Sequence, residues 1–256
     1  MLIDSHCHLP HKKYEIDLPT ILQQARDNGV SKLINIGTSI KENIKVIKTL
    51  KNHNEIYGSI GIYPHEDQNK TLDELEQFLE KNVTTSKKII GIGECGIDIT
   101  NLKGGRNLED QLELFEMQLS FAEKNNLPVI IHNRNGDKYV LKMLKRYSGI
   151  KGVAHGFRST WETAKGFLDL GIYISFAANI SYPSNDYLRD ILKKVPNNMF
   201  VIETDSPYLP PQSHRGEVNY PKYVKIIAEK IATVKQIPFT EICRITRENT
   251  CSLFNI

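Results

Sequence analysis

The sequence predicts a single (β/α)8 barrel, and three observations predict it. Short apolar, β-branched runs alternate with longer amphipathic segments along the whole chain, the pattern of parallel strands joined by helical crossovers. Eight such strand–helix units can be traced, enough to close a barrel. The length, 256 residues, matches the roughly 250 that such a barrel uses. The competing arrangement, an open doubly wound sheet, would be expected to carry a glycine-rich turn after its first strand. This chain has Asp4-Ser5-His6-Cys7-His8 there. No composition break, repeat or low-complexity stretch divides residues 1–256, which read as one domain.

Taken in order, the strand Leu2–Ser5 is followed by a helical pattern over Leu18–Asn28. Strands Lys32–Ile36 and Tyr57–Gly61 flank Lys41–Lys51, a solvated, lysine-rich helix face. The helix Leu72–Glu80 leads into Ile89–Glu94, and Asn107–Glu123 leads into Val129–His132. Lys138–Arg146 precedes Gly152–His155, Thr160–Leu170 precedes Tyr173–Phe176, and Leu188–Val195 precedes Met199–Glu203. Two further helices, around Pro221–Val234 and Thr240–Leu253, close the chain. The loop Ile99–Arg106, with Gly104 and Gly105, reads as mobile.

Charge and composition narrow the function classes. The net charge of +3 falls short of the basic signature of a dedicated nucleic-acid-binding domain, so attraction for a polyanion would have to be local to a cleft. Cys7, Cys95, Cys243 and Cys251 form no CxxC pair and read as reduced thiols of a cytosolic protein. The N-terminus lacks the charged and apolar regions of a signal peptide, and no apolar run approaches the roughly 20 residues of a membrane span. The expected location is the cytoplasm.

Chemistry-bearing residues gather at the ends of the predicted strands, where barrel active sites are built. His6 and His8 follow the first strand; alternate residues of an extended segment share a face, so both rings point together while Cys7 points away. Glu94 ends the apolar run Ile89-Ile90-Gly91-Ile92-Gly93, where an acid is costly to bury unless paired or metal-bound. His132 and His155 each end an apolar strand in the same way. Any one of these has an ordinary explanation as a loop or strand-end polar residue, but the set does not. After the last strand come Glu203 and Asp205. Asp205 is the better candidate for ligand or general base. Glu203 is an orienter of a ligand, a substrate contact or a structural carboxylate. Imidazoles and carboxylates together suit zinc, manganese or other divalent ions. Six ligands would crowd one ion and leave it no open position. Two ions bridged by a carboxylate such as Glu94 use the set, and hydrolysis follows: water activated by the ions gives its proton to Asp205.

The segments MLIDSHCHLP, GIYPH, GIGECGID, LPVIIHNR, GVAHGF and VIETDSPYLPP, in this order, resemble the TatD family of metal-dependent deoxyribonucleases in the amidohydrolase superfamily. The resemblance runs from about Leu2 to Phe254 and includes Arg215-Gly216, Asn219-Tyr220-Pro221 and Asn249-Thr250. It implies a barrel of the metallo-dependent hydrolase type that holds two divalent ions, magnesium, manganese or zinc. The implied ligands are His6, His8, Glu94, His132, His155 and Asp205, with Glu94 bridging. His65 resembles the family histidine that faces the substrate phosphate, and Arg134 and Arg215 are candidate phosphate contacts; either arginine could instead make a structural ion pair. The implied activity is hydrolysis of DNA phosphodiester bonds, often as a 3′-to-5′ exonuclease on single strands.

Three departures mark a divergent branch. Ile99-Thr100 stand where the family usually has an aromatic pair, which alters an expected base contact. Asn133-Arg134-Asn135 replace the usual Ser-Arg-Asp, and Gly156-Phe157-Arg158-Ser159 replace Cys-Phe-Ser-Gly. Arg158 reads as a surface arginine at the next helix, or as a phosphate contact. Cys7 and Cys95 read as packing residues, and Trp161 as helix packing. Two other functions compete: a barrel hydrolase of a small ester, amide or phosphoester using the same two-metal site, and a catalytically silent scaffold. The intact ligand set argues against the scaffold.

Overall fold

A computed structural model describes residues 1–100, 104–147 and 149–256. Eight parallel strands hydrogen-bond in sequence order: β1 (Leu2–Cys7), β2 (Val30–Ile36), β3 (Ile56–Ile60), β4 (Ile89–Asp98), β5 (Val129–Arg134), β6 (Gly152–Ala154), β7 (Ile172–Phe176) and β8 (Phe200–Ile202). Around them lie α1 (Leu18–Asp27), α2 (Ile40–Asn52), α3 (Leu72–Val83), α4 (Leu108–Lys124), α5 (Asp137–Leu144), α6 (Trp161–Asp169), α7 (Asp186–Lys194), α8 (Val224–Lys235) and α9 (Phe239–Phe254). The ring closes through a parallel bridge between Cys7 and Ser206. There the Asp205 N–H donates to the His6 carbonyl at 2.9 Å and the His8 N–H to the Ser206 carbonyl at 2.8 Å. This is the (β/α)8 barrel that strict alternation predicts.

Local chemistry sets the helix starts. Asp17, Ser39, Thr71, Asn107 and Thr160 each accept a hydrogen bond from the backbone N–H three residues on, satisfying a donor that the first helical turn leaves free. Helix α5 has no such cap of its own; Gly136 precedes it.

Inside the ring, Ile34, Ile36, Ile90, Ile130, Val153 and Val201 form an apolar cluster with Leu253 and Phe254 of α9. Outside it, strand residues such as Ile131, Ala154 and Ile202 pack with the helices. Cys7 and Cys95 belong to this outer core, as their parity requires, and all four cysteines are free thiols.

One expectation needs adjustment. Strand β4 continues past Glu94 to Asp98, because Gly93 and Gly96, with φ of 145° and 137°, let the strand bend and keep pairing with β5. The segment Ile99–Arg106, expected to be mobile, includes residues 101–103, which lie outside the described residues. Among the described residues no helix is long and apolar enough to cross a membrane.

Candidate metal centre

Strand parity builds the site. Ile130 and His132, Val153 and His155, and Val201 and Glu203 are each two residues apart, so each pair shares a face. The first member of each pair lies in the interior cluster. The second stands one layer higher, at the carboxyl end of the barrel, where His6, His8, Glu94 and Asp205 join it.

The side chains gather in two groups. His6 Nε2 and His8 Nε2 are 3.3 Å apart, with Asp205 Oδ1 3.6 Å and 3.4 Å from them. His132 Nδ1 and His155 Nε2 are also 3.3 Å apart, with Glu94 Oε1 2.8 Å and 3.0 Å from them. The other oxygen of Glu94, Oε2, lies 3.4 Å from His6 Nε2. One carboxylate therefore reaches both groups.

Whether this donor set fits metal ions can be judged from the far side of each ring. His8 Nδ1 is 3.1 Å from the Ile36 carbonyl. His132 Nε2 is 3.2 Å from Asp98 Oδ2, and His155 Nδ1 is 3.3 Å from Glu203 Oε1. A proton held on that far nitrogen leaves the inward nitrogen with a lone pair, the arrangement that orients imidazole metal ligands. His6 Nδ1 is buried without a partner among the described residues. The groups His6–His8–Asp205 and Glu94–His132–His155 each present three donor atoms close enough to share an ion, and His6–His155–Glu203 does so as well. The residues fit divalent metal.

Charge follows the same geometry. Burial raises Glu94, but His155, His132 and His6 outweigh it and hold the carboxyl well below its ordinary range. Asp205 is likewise lowered, burial being overcome by His8, His6 and His155. Burial lowers His155, yet Glu94 and Glu203 drive it well above its ordinary value. His6, buried beside His155, is lowered.

A buried scaffold holds Asp205 in place. Its φ of 55° is a conformation that costs a non-glycine residue about 1–3 kcal/mol. Asp4 accepts from the Thr204 N–H at 2.8 Å and the Thr204 hydroxyl at 2.6 Å. Asn219 Nδ2 donates to the carbonyls of Thr204, Tyr208 and Leu209. Beside His132, the Tyr63 hydroxyl donates to Asp98 Oδ2 at 2.6 Å.

A family model described as TatD related DNase matches residues 3–255. The chain belongs to the TatD-related DNase family. It is 32% identical to YabD of Bacillus subtilis, named an uncharacterized metal-dependent hydrolase, over 100% of both chains. The crystal structure of YjjV, a TatD homologue of Escherichia coli, superposes with a TM-score of 0.90 at 29% identity, covering 100% of this chain and 98% of that one. A TatD-family hydrolase of Entamoeba histolytica superposes with a TM-score of 0.84 at 25% identity, covering 99% and 97%. The protein is a TatD-family metal-dependent hydrolase.

The six ligand candidates of this TatD-family chain thus converge, whereas the expected substrate contacts scatter. The cavity above the ligands, of about 1040 Å³, is lined by Arg134 among others, and Arg134 Nη1 lies 3.5 Å from Asp98 Oδ2. Glu203 sits beneath His155 rather than on the cavity wall: it is 1% exposed and accepts from the Ser175 hydroxyl and the Gly156 N–H, each at 2.6 Å. Its carboxylate thus stands behind His155, with Oε1 3.3 Å from Nδ1. His65 faces the Asp98 carbonyl at 3.1 Å; the cavity residue of its motif is Tyr63. Arg215 lays its guanidinium over the Tyr182 ring at 4.5 Å, and Arg158 is exposed.

The departures from the family pattern also have structural work. Asn133 bonds Asp137 and accepts from the Gly136 N–H, tying the start of α5 to the end of β5, and Ser159 donates to Asp137 at 2.6 Å. The Thr100 N–H donates to Asp98 Oδ1 at 2.9 Å. Sequence reasoning assigned no role to Asp4, Tyr63, Asp98, Ser175 or Asn219. All but Ser175 stand in segments already singled out, which was the available signal.

Proposed function

We propose that the protein is a deoxyribonuclease that hydrolyses phosphodiester bonds of single-stranded DNA, working from 3′ ends, with two divalent ions held by His6, His8, Glu94, His132, His155 and Asp205. The observation that carries the reading is the Glu94 carboxylate, whose two oxygens divide between two clusters of imidazoles at the floor of the cavity. When bound, such a pair of ions would acidify water and neutralise charge developing on a phosphoryl oxygen. Asp205, held ionised against His8, is the proton acceptor of the reaction. Asp4, Thr204 and Asn219 fix its orientation. Glu203 and Asp98 hold His155 and His132 in the tautomers that face the site.

The cavity supports a polyanionic substrate over a small neutral ester. Lys12, Lys13, Lys41, Lys45 and Arg134 line it beside Glu42, Glu66 and Glu217. Lys45 is paired with Glu42 at 2.8 Å, which leaves Lys12, Lys13, Lys41 and Arg134 as the cations suited to phosphate, as point charges or a fork. The overall charge is nearly balanced, so this local concentration is where attraction would arise. Free thiols throughout suit a reducing compartment such as the cytoplasm.

The test is cleavage of end-labelled single- and double-stranded DNA with magnesium, manganese or zinc, beside Asp205→Asn. Metal-dependent shortening from one end gives the polarity, and removal of the proton acceptor lowers turnover by about 10²- to 10⁴-fold. A metal-loaded protein that cuts no nucleic acid overturns the nuclease reading in favour of a small ester, amide or phosphoester substrate.

A further inference from the structure

The cavity mouth holds an aromatic ring for which the metal centre has no use. Tyr208 is 39% exposed, and it lines the cavity together with Pro207, Leu209, Pro210 and Val218. These residues make an apolar wall. Lys12, Lys13 and Lys41 supply cationic lining to the same cavity, Lys45 being paired with Glu42 at 2.8 Å. A ligand suited to both carries a flat apolar group and an anionic chain.

The ring is held in place. The Tyr208 N–H donates to the Asp205 carbonyl at 2.9 Å, and its own carbonyl accepts from Asn219 Nδ2 at 2.6 Å. The hydroxyl lies 3.3 Å from His11 Nε2, and the His11 ring stands edge-on at 5.6 Å between centroids. Lys13 Nζ sits 4.2 Å from the ring centroid, within the reach of a cation–π contact. The His8 ring, whose Nε2 belongs to the metal cluster, is 5.8 Å away and nearly perpendicular, at 76°. An exposed aromatic ring fixed one residue-width from the reacting centre is a surface on which a nucleobase stacks, whatever its identity, because every base has a π-face.

We propose that Tyr208 seats the base of the nucleotide whose phosphodiester is cut, with Lys13 over the ring contacting the adjoining phosphate. This rests on the nuclease reading and makes it specific: a base stacked on a ring 5.8 Å from that of His8 would bring its phosphate towards His6, His8 and Asp205. It also supplies a base contact at a position other than Ile99-Thr100, where Ile99 packs against the core and Thr100 bonds Asp98.

The test uses metal-loaded protein and single-stranded oligonucleotides with phosphorothioate linkages at the 3′ end, carrying either 2-aminopurine or an abasic site as the terminal nucleotide. With wild type and Tyr208→Phe, binding quenches 2-aminopurine fluorescence. With Tyr208→Ala the quenching is lost and affinity for the base-bearing strand falls about tenfold, while affinity for the abasic strand is unchanged. Equal losses on both strands, or undiminished quenching in Tyr208→Ala, overturn the seat and leave the nuclease reading standing. Wild-type protein that neither binds nor cuts any strand removes both together.

Discussion

The carboxylate of Glu203 has no oxygen to spare: one faces His155 Nδ1 and the Gly156 N–H, the other the Ser175 hydroxyl. An amide in its place keeps the shape and loses the charge that holds a proton on His155 Nδ1. Glu203→Gln is therefore expected to weaken metal binding about 10- to 100-fold, measured by competition with a metal-sensitive dye, with little change in the circular dichroism spectrum. Unchanged affinity would mean that Ser175 and Gly156, not the charge, orient the ring. The same residues set a pH dependence whose sign changes with metal. In metal-free protein His155 is raised above 6.5, so its contribution to stability is complete below that value and is lost as pH rises through the raised one. Glu94 is depressed below 4.5, so its contribution is complete above that value and is lost as pH falls. Bound ions instead require neutral imidazoles and compete with protons. The melting-temperature gap between metal-loaded and chelated protein should therefore widen between about pH 6 and pH 9, as followed by calorimetry. A gap independent of pH would show that the histidines are not the ligands.

At the scale of elements, β4 shows what the sequence tells and what it hides. Its apolar run and Glu94 were legible, because an acid ending such a run needs a partner. Its continuation to Asp98 was not, since nothing in Gly-Glu-Cys-Gly says that two glycines at positive φ will bend the strand rather than end it. The contact between Tyr63 and Asp98 joins residues 35 apart, from the segment after β3 to the end of β4, and a single sequence does not reveal which side chains will meet there. The same blindness explains the scattered substrate contacts: His65 and Arg215 carry suitable chemistry, but their direction depends on loop geometry. The bend also yields a prediction. A Cβ on Gly96 would lie 2.0 Å from the His132 carbonyl oxygen, whereas one on Gly104 would meet nothing within 4 Å. Both have positive φ. Gly96→Ala combines strain with a clash against backbone and should cost about 3–5 kcal/mol in urea unfolding. Gly104→Ala should cost about 1–2 kcal/mol. Similar values for the two would place the bend elsewhere.

Across the whole molecule, the grammar of apolar strand followed by histidine or acid made most of the gathered side chains readable, because a barrel brings every strand end to one rim. The order of the chain gave no hint of how far this ties the ring together. The candidate ligands come from β1 and the residue just beyond it, from β4 and β5, from just beyond β6 and from the segment after β8, where Asp205 also bonds β1 across the closure. Ions held there bind the folded chain and have no comparable site in the unfolded one, so they stabilise by mass action. Free metal at 100 times its dissociation constant adds about 2.7 kcal/mol per site, and each kcal/mol moves the melting temperature of a chain this size by about 2–4 °C. Two filled sites should raise it by roughly 10–20 °C over chelated protein, and chelation should silence hydrolysis. Because the two oxygens of Glu94 divide between the two groups, stepwise titration should show melting temperature and activity both rising until two equivalents are bound. A melting curve and activity that both saturate at one equivalent would leave Glu94 bridging nothing, and Asp205 would then serve as base beside a single ion.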